Sequence, residues 1–508
     1  MKKNDLFMRK EMHIGRWVKT FCLCLFLVGV TSCKKGVEDE LFSAGVTGVT
    51  LESPTLDGSS FATLANSDGT ESVKLTWDVV YGAGGYLLNV DIVDDPTNPV
   101  EVVNDSIVDG CSIIFDKLED TKYEISIKSL ANAKLNNKEA ASATVYPYST
   151  LIPALTVPEG DDIAEFIRAN LTDSDQEQGF ELLGGKTYQL NSAVDFGLNT
   201  ITFRGDKANR PIVVLGASGG IVTQGGLKLK FINFDCTAAT TLGILSLSDN
   251  PSETISTGTL GYKTDGANQD GFVINDPVII QECDFKNVKN GILYGNKKNW
   301  SLRDFRITDC IIQFNNSGSN SVLNLYGGSN GLIKDLTIKN NTLYNIVKNS
   351  SAYFIRYSNA SNAQPQKIFG NSGNSVTFTI EYNTFSRVFS NKDFANNMAN
   401  TNTITTKVQY NILFDVFRLY QFIQTNTLMY TSGNTIFGDW GGTPNSNDTG
   451  GRKDKNGNPY ATLENPDFVG PFELELDLTA VNGGVNFTPR GTVAVQNKSG
   501  DPRWYENQ

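Results

Sequence analysis

A short motif that returns six times constrains this chain more than any other feature. Ile280-x-x-Cys283-x-Phe285-x-x-Val288 is followed by Ile307-x-x-Cys310-x-Ile312 and Ile338-x-x-Asn341-x-Leu343-x-x-Ile346. Ile380-x-x-Asn383-x-Phe385-x-x-Val388 and Val408-x-x-Asn411-x-Leu413-x-x-Val416 continue it, and Asn434-x-Ile436 is an abbreviated last copy. The central Cys or Asn positions are 27, 31, 42, 28 and 23 residues apart. A fixed local pattern on an irregular step describes a constant turn joined by loops of variable length, which is how a β-solenoid absorbs insertions. Alternate strand residues point inward, so Ile and Phe stack from coil to coil. An inward Asn at a tight turn can bond both the backbone and the Asn of the next coil, forming a ladder.

On these residues the chain resembles the right-handed parallel β-helix of the pectin-lyase-like superfamily over about residues 150–470. The resemblance implies that the ladder marks the turn between the second and third sheets, and that the first sheet floors a sugar-binding groove. Chain order then places first-sheet strands at Ile292–Tyr294, Leu323–Tyr326, Tyr353–Tyr357, Phe389–Lys392 and Phe417–Tyr420. With Leu325 and Leu419 turned inward, Asn324, Tyr326, Arg418 and Tyr420 face out. Tyr294 and Tyr357 occupy matching places, but Arg356 then shares the inward parity, so one strand must be out of register. Tyr294, Asn324, Tyr326, Arg356, Tyr357, Lys392, Arg418 and Tyr420 are the expected glycan-binding residues. Aromatic faces pack on sugar rings, while Asn and Arg bond hydroxyls or carboxylates.

Before the solenoid, residues 161–170 put Ile163, Phe166 and Ile167 on one helical face, with Asp162 and Glu165 placed as a capping box. A short helix there suits the exposed apolar end of a β-helix. Residues 45–147 carry short alternating strands spaced as in a sandwich. They resemble a fibronectin type III domain in Trp77, in Tyr86 on the next strand, and in Leu118 five residues before Tyr123, as in that family's tyrosine corner. Its expected role is a spacer. Residues 471–508, with Gly500-Asp-Pro-Arg-Trp504, are expected to form a C-terminal cap segment.

Residues 1–32 combine a basic head, an apolar run from Phe21 to Val30 and Val30-Thr31-Ser32-Cys33. Ten residues are about half of what a bilayer-crossing helix needs, so the segment reads as an export signal. It resembles a lipobox, which implies lipidation at Cys33 and a tether over residues 33–44. Glu38-Asp39-Glu40 resembles the surface-export signal of lipoproteins in glycan-utilisation systems, which implies an outer-membrane protein at the cell surface and other glycan-uptake proteins as partners. Together with the fibronectin-like domain and the β-helix, these features resemble lipoproteins of domain-of-unknown-function families encoded among glycan-degradation genes.

Of 43 Lys+Arg and 55 Asp+Glu, the signal holds 6 and 2, leaving 37 against 53, a net charge of −16. Bulk charge therefore excludes nucleic acid as a partner. Residues 271–440 reverse the sign, with 15 basic and 10 acidic residues. Arg356, Lys392 and Arg418 fall on successive coils, and a line of cations would suit an acidic, pectin-like polysaccharide. The one histidine, His13, lies in the signal, so no histidine acid, base or metal ligand serves the mature chain. Binding without catalysis is the leading expectation, with no cofactor.

The alternative is a polysaccharide lyase or hydrolase, with Arg356, Lys392 or Arg418 as base and calcium as a possible electrophile. Against it, the only acids on adjacent first-sheet segments are Asp393 and Asp415, and the Arg-x-Pro-x-x-Arg signature of pectate lyases is absent. A structural or adhesive surface protein is the third reading. Arg204-Gly205-Asp206 and Asp454-Lys-Asn-Gly-Asn458 match an adhesion tripeptide and a calcium loop, but both read as turns. Cys283 and Cys310 occupy equivalent coils, where either a disulfide or two buried thiols fits.

Overall fold

The computed structural model describes residues 45–256, 271–327, 331–347, 351–358, 376–398, 401–419, 428–438 and 447–505. The signal, Cys33 and Tyr420 lie outside them. The chain divides between Leu151 and Ile152 into two compact units.

The first unit is a sandwich of two antiparallel sheets. Phe61–Ala65, Glu71–Thr76 and Ser112–Asp116 form one. Val100–Val108, Tyr86–Ile92, Lys122–Ser129 and Thr144–Ser149, in that order, form the other. The alternation seen in sequence places Val73, Leu75, Leu88, Val90, Ile125 and Ile127 in the core, with Trp77 edge-on to Tyr86 at 5.4 Å. The Tyr123 hydroxyl accepts from Leu118 N at 2.9 Å and lies 3.4 Å from Asp116 O, the corner geometry that the five-residue spacing predicts.

In the second unit the strands are distributed among three parallel sheets, and successive coils add one strand to each in turn. Among the described residues the sheets have eleven, ten and seven strands, so the unit is a parallel β-helix. Its interior is one continuous apolar core of stacked like residues, for example Leu245, Leu293, Leu323 and Ile355 on neighbouring strands. The ladder is present at the turn from the eleven-stranded to the ten-stranded sheet. Asn341 Nδ2 donates to Asn383 Oδ1 (2.9 Å), Asn383 Nδ2 to Asn411 Oδ1 (3.0 Å) and Asn411 Nδ2 to Asn434 Oδ1 (3.0 Å). Each Asn Oδ1 also accepts the backbone N–H of the preceding rung, beginning at Cys310 N. Cys283 and Cys310 are free, buried thiols, and Cys283 N approaches Cys310 Sγ at 3.5 Å. Thiols therefore continue the ladder where a disulfide was the other expectation.

The residue before each rung turns the corner with a positive φ: Asp309, Asn340, Tyr382 and Tyr410 lie between 54° and 58°. Gly433 holds the last of these places, and there glycine is required, because a Cβ would sit 2.4 Å from the Tyr410 ring.

The helix α1 spans Ile163–Asn170 and buries Ile163, Ala164 and Ile167, with Phe166 packed at the margin. Asp162 caps it by accepting from Ala164 N (3.0 Å) and Glu165 N (3.2 Å), and its second oxygen accepts from Asn191. Asp162→Ala is expected to lower stability by about 1 kcal/mol in denaturant unfolding. Residues 471–508 were expected as a cap; the described chain over residues 464–505 runs as a strap along the outer face of the ten-stranded sheet. Tyr344 donates to Leu474 O (2.9 Å), Trp504 Nε1 to Thr342 Oγ1 (2.7 Å) and Thr342 Oγ1 to Asp501 (2.8 Å). Phe468, Leu476, Phe487 and Trp504 cover Ile311, Tyr344 and Ile412 there, so this sheet offers no open face along their length.

Candidate functional site

The seven-stranded sheet carries the candidate site. Its later strands are Gly291–Tyr294, Leu323–Asn324, Ile355–Arg356 and Ala395–Asn396. Their register sets one outward file: Asp195, Val222, Ser246, Tyr294, Asn324, Arg356 and Asn396 stand opposite one another on successive strands. Leu323 and Leu325 point inward, as expected, and Asn324 and Tyr326 outward; Tyr326 is 43 % exposed.

This register resolves the parity conflict left by the sequence. Tyr294 stands opposite Asn324, and Asn324 opposite Arg356, so Arg356 faces out and Tyr357 faces in. Tyr357 is fully buried, and burial drives its hydroxyl pKa well above the usual range. It is a core residue, and its expected place in the glycan site is corrected. A second correction concerns the next strand: Ala395–Asn396 pairs where Phe389–Lys392 was expected. Phe389 and Phe394 are both drawn into the core against Phe385, and the intervening residues make a wide turn.

The aromatic partner that the sequence reading missed is Tyr353. The Arg356 guanidinium carbon lies 3.8 Å from the centroid of the Tyr326 ring and 5.7 Å from that of Tyr353. Lys392 Nζ lies 5.9 Å from the Tyr353 centroid. A guanidinium laid flat on a ring gives up little of its hydrogen-bonding edge, and the stack fixes its plane. Arg356 has no carboxylate partner among the described residues, and its Nε is buried without an acceptor. Tyr326 is itself anchored, since its N–H donates to Asn324 Oδ1 at 3.0 Å. Tyr353 was visible only as the first residue of a strand whose register was uncertain, so no sequence signal favoured it over Tyr357.

Arg418 behaves differently. Its guanidinium is clamped by Asp393 through Nε–Oδ1 and Nη2–Oδ2, and the two residues also form an isolated parallel bridge. Behind them Asp448 is buried and accepts from Leu419 N at 3.1 Å. Burial is the main cause that raises the Asp448 pKa to about 7, with Asp393 adding to it and Arg418 and Arg452 opposing. The folded state thus binds this proton more tightly than the unfolded chain, so stability is expected to fall as pH rises from about 4 to about 7. Asp448→Asn removes that slope in unfolding midpoints measured across the interval. An unchanged slope would contradict the assignment.

Among the described residues, no group of three or more His, Cys, Asp or Glu could hold a metal ion. The calcium-like loop is a turn: Asp454 Oδ1 accepts from Asn456 N and Asn458 N, and Oδ2 from Thr431 N. Arg204 is buried against Glu181, and Asp206 accepts from Ala208 N and Asn209 N, so the adhesion-like tripeptide is structural as well.

The fold and this face define a parallel β-helix with an aromatic and cationic patch on its seven-stranded sheet. Two family models match the chain, both described as domains of unknown function: DUF4992 over residues 1–191 and DUF4957 over residues 186–346. No curated protein matches it. Among solved structures it is similar to a PL6-family alginate lyase, AlyGC in a mutant form, at 12% identity and a TM-score of 0.22. That match covers 68% of this chain and 56% of the lyase, so the chain spans little more than half the lyase's length.

Proposed function

We propose that this chain is an exported, surface-held lipoprotein that binds an acidic polysaccharide on the seven-stranded sheet. The observation that carries the reading is the Arg356 guanidinium, stacked on exposed Tyr326 and without a carboxylate partner among the described residues. An oriented cation beside aromatic faces suits a sugar ring that bears a carboxylate: the rings take the apolar face of the sugar and the guanidinium fork takes the acid. Lipidation at Cys33 and the sandwich as a spacer complete the proposal, since a binding face is useful to glycan uptake when held at the cell surface. Retention of the mature protein on affinity gels that contain acidic polysaccharides is the expected result. No retention on any polysaccharide would defeat it and favour the adhesive reading. Following unsaturated uronate ends and reducing sugar with calcium present tests the lyase alternative. Turnover abolished by Arg356→Ala or Lys392→Ala would replace binding by catalysis.

A further inference from the structure

The sequence suggested a line of cations along the groove, but among the described residues the outward file of the seven-stranded sheet holds a single cationic locus. In the outward file, Arg356 is the only cation among seven residues, and its neighbours are Asn324 and Asn396. Lys392 joins Arg356 around one ring, that of Tyr353, and so belongs to the same locus. Arg418, the third member of the supposed line, already holds the carboxylate of Asp393. The file begins, moreover, with an acid, Asp195.

From this we infer that the ligand is a heteroglycan whose uronate residues are isolated among neutral sugars, in contrast to a homopolymer of uronate. The inference rests on the glycan-binding reading above and narrows it. A polyuronate brings one carboxylate for each sugar. Laid along the outward file it would place one acid on Arg356 and Lys392 and the others against amides, apolar and aromatic groups and the Asp195 carboxylate. Those further acids would lose hydration without gaining a cation, which costs binding energy. A chain with neutral sugars on either side of one acid meets groups of the matching kind. Asn396, half-buried beside Arg356 in the file, offers a donor and an acceptor for hydroxyls, and Tyr326 and Tyr353 offer ring surface.

The test compares glycans with scattered glucuronate (glucuronoxylan and a glucuronate-bearing arabinogalactan) with polygalacturonate and alginate, each beside its carboxyl-reduced form, on the intact protein. The expected result is that a scattered-uronate glycan binds tightest, by tenfold or more over either polyuronate. Reduction of its carboxyl groups is expected to remove at least tenfold of that affinity, a readout that needs no variant to fold. Tightest binding by a polyuronate, or a carboxyl-reduced glycan that binds as well as its parent, overturns the inference and leaves glycan binding standing. Absence of binding to all of them defeats both.

Discussion

Asn383→Ala is expected to destabilise the β-helix by roughly 3 to 5 kcal/mol, among the largest effects that a single polar side chain here can have. The Asn383 side chain is fully buried and makes several bonds at once. Nδ2 donates to Ile338 O (2.7 Å), Glu381 O (2.9 Å) and Asn411 Oδ1 (3.0 Å), and Oδ1 accepts from both Asn341 N and Asn341 Nδ2. Truncation leaves donors and acceptors of two coils buried and unpaired, and each such group costs about 1 to 3 kcal/mol. The neighbouring rungs then lose their own alignment. Denaturant unfolding followed by circular dichroism measures the change. A loss below about 1 kcal/mol would mean that the ladder decorates the turn without holding it.

Arg356→Ala is expected to weaken binding of an acidic glycan by about 10- to 100-fold, the range for loss of a charge-assisted pair worth about 1.5 to 3 kcal/mol. Stability should move little, because Arg356 has no ion pair among the described residues and what is lost are its contacts with the Tyr326 and Tyr353 rings. Arg418→Ala should show the opposite pattern. It strands the largely buried Asp393 carboxylate without its guanidinium, so the cost falls on folding and only secondarily on binding. Affinity electrophoresis alongside thermal unfolding separates the two variants. Equal loss of binding with equal loss of stability would show that both arginines are structural.

How far the sequence could be read depended on how local each signal was. The rungs from Cys283 to Asn434 were legible because an Asn or Cys at a fixed distance from inward Ile and Phe is a within-turn pattern. Earlier coils were not, because apolar Ile232 stands in the coil before Cys283, where it leaves no polar mark. The helix from Ile163 and the Tyr123 corner were likewise set by spacings of a few residues. The site was harder. Which of Arg356 and Tyr357 faces out depends on register with Asn324, a coil away, and Tyr353 lies ahead of the two-residue strand, where Phe354 and Ile355 are both buried and the alternation breaks. The Arg418–Asp393 pair and the approach of Asp448 join segments separated by loops, so charge counts along the chain could not separate a neutralised arginine from an available one. The path of residues 464–505 along the ten-stranded sheet was equally invisible, since Thr342, Tyr344 and Gln313 give no sign of the chain that will cover them.

The most direct measurement is a crystal structure of the mature protein soaked with an acidic oligosaccharide that affinity gels show it retains. The account predicts a uronate carboxylate on the Arg356 guanidinium and a sugar ring against Tyr326 or Tyr353. An ordered glycan bound elsewhere, with Arg356 untouched, would contradict it.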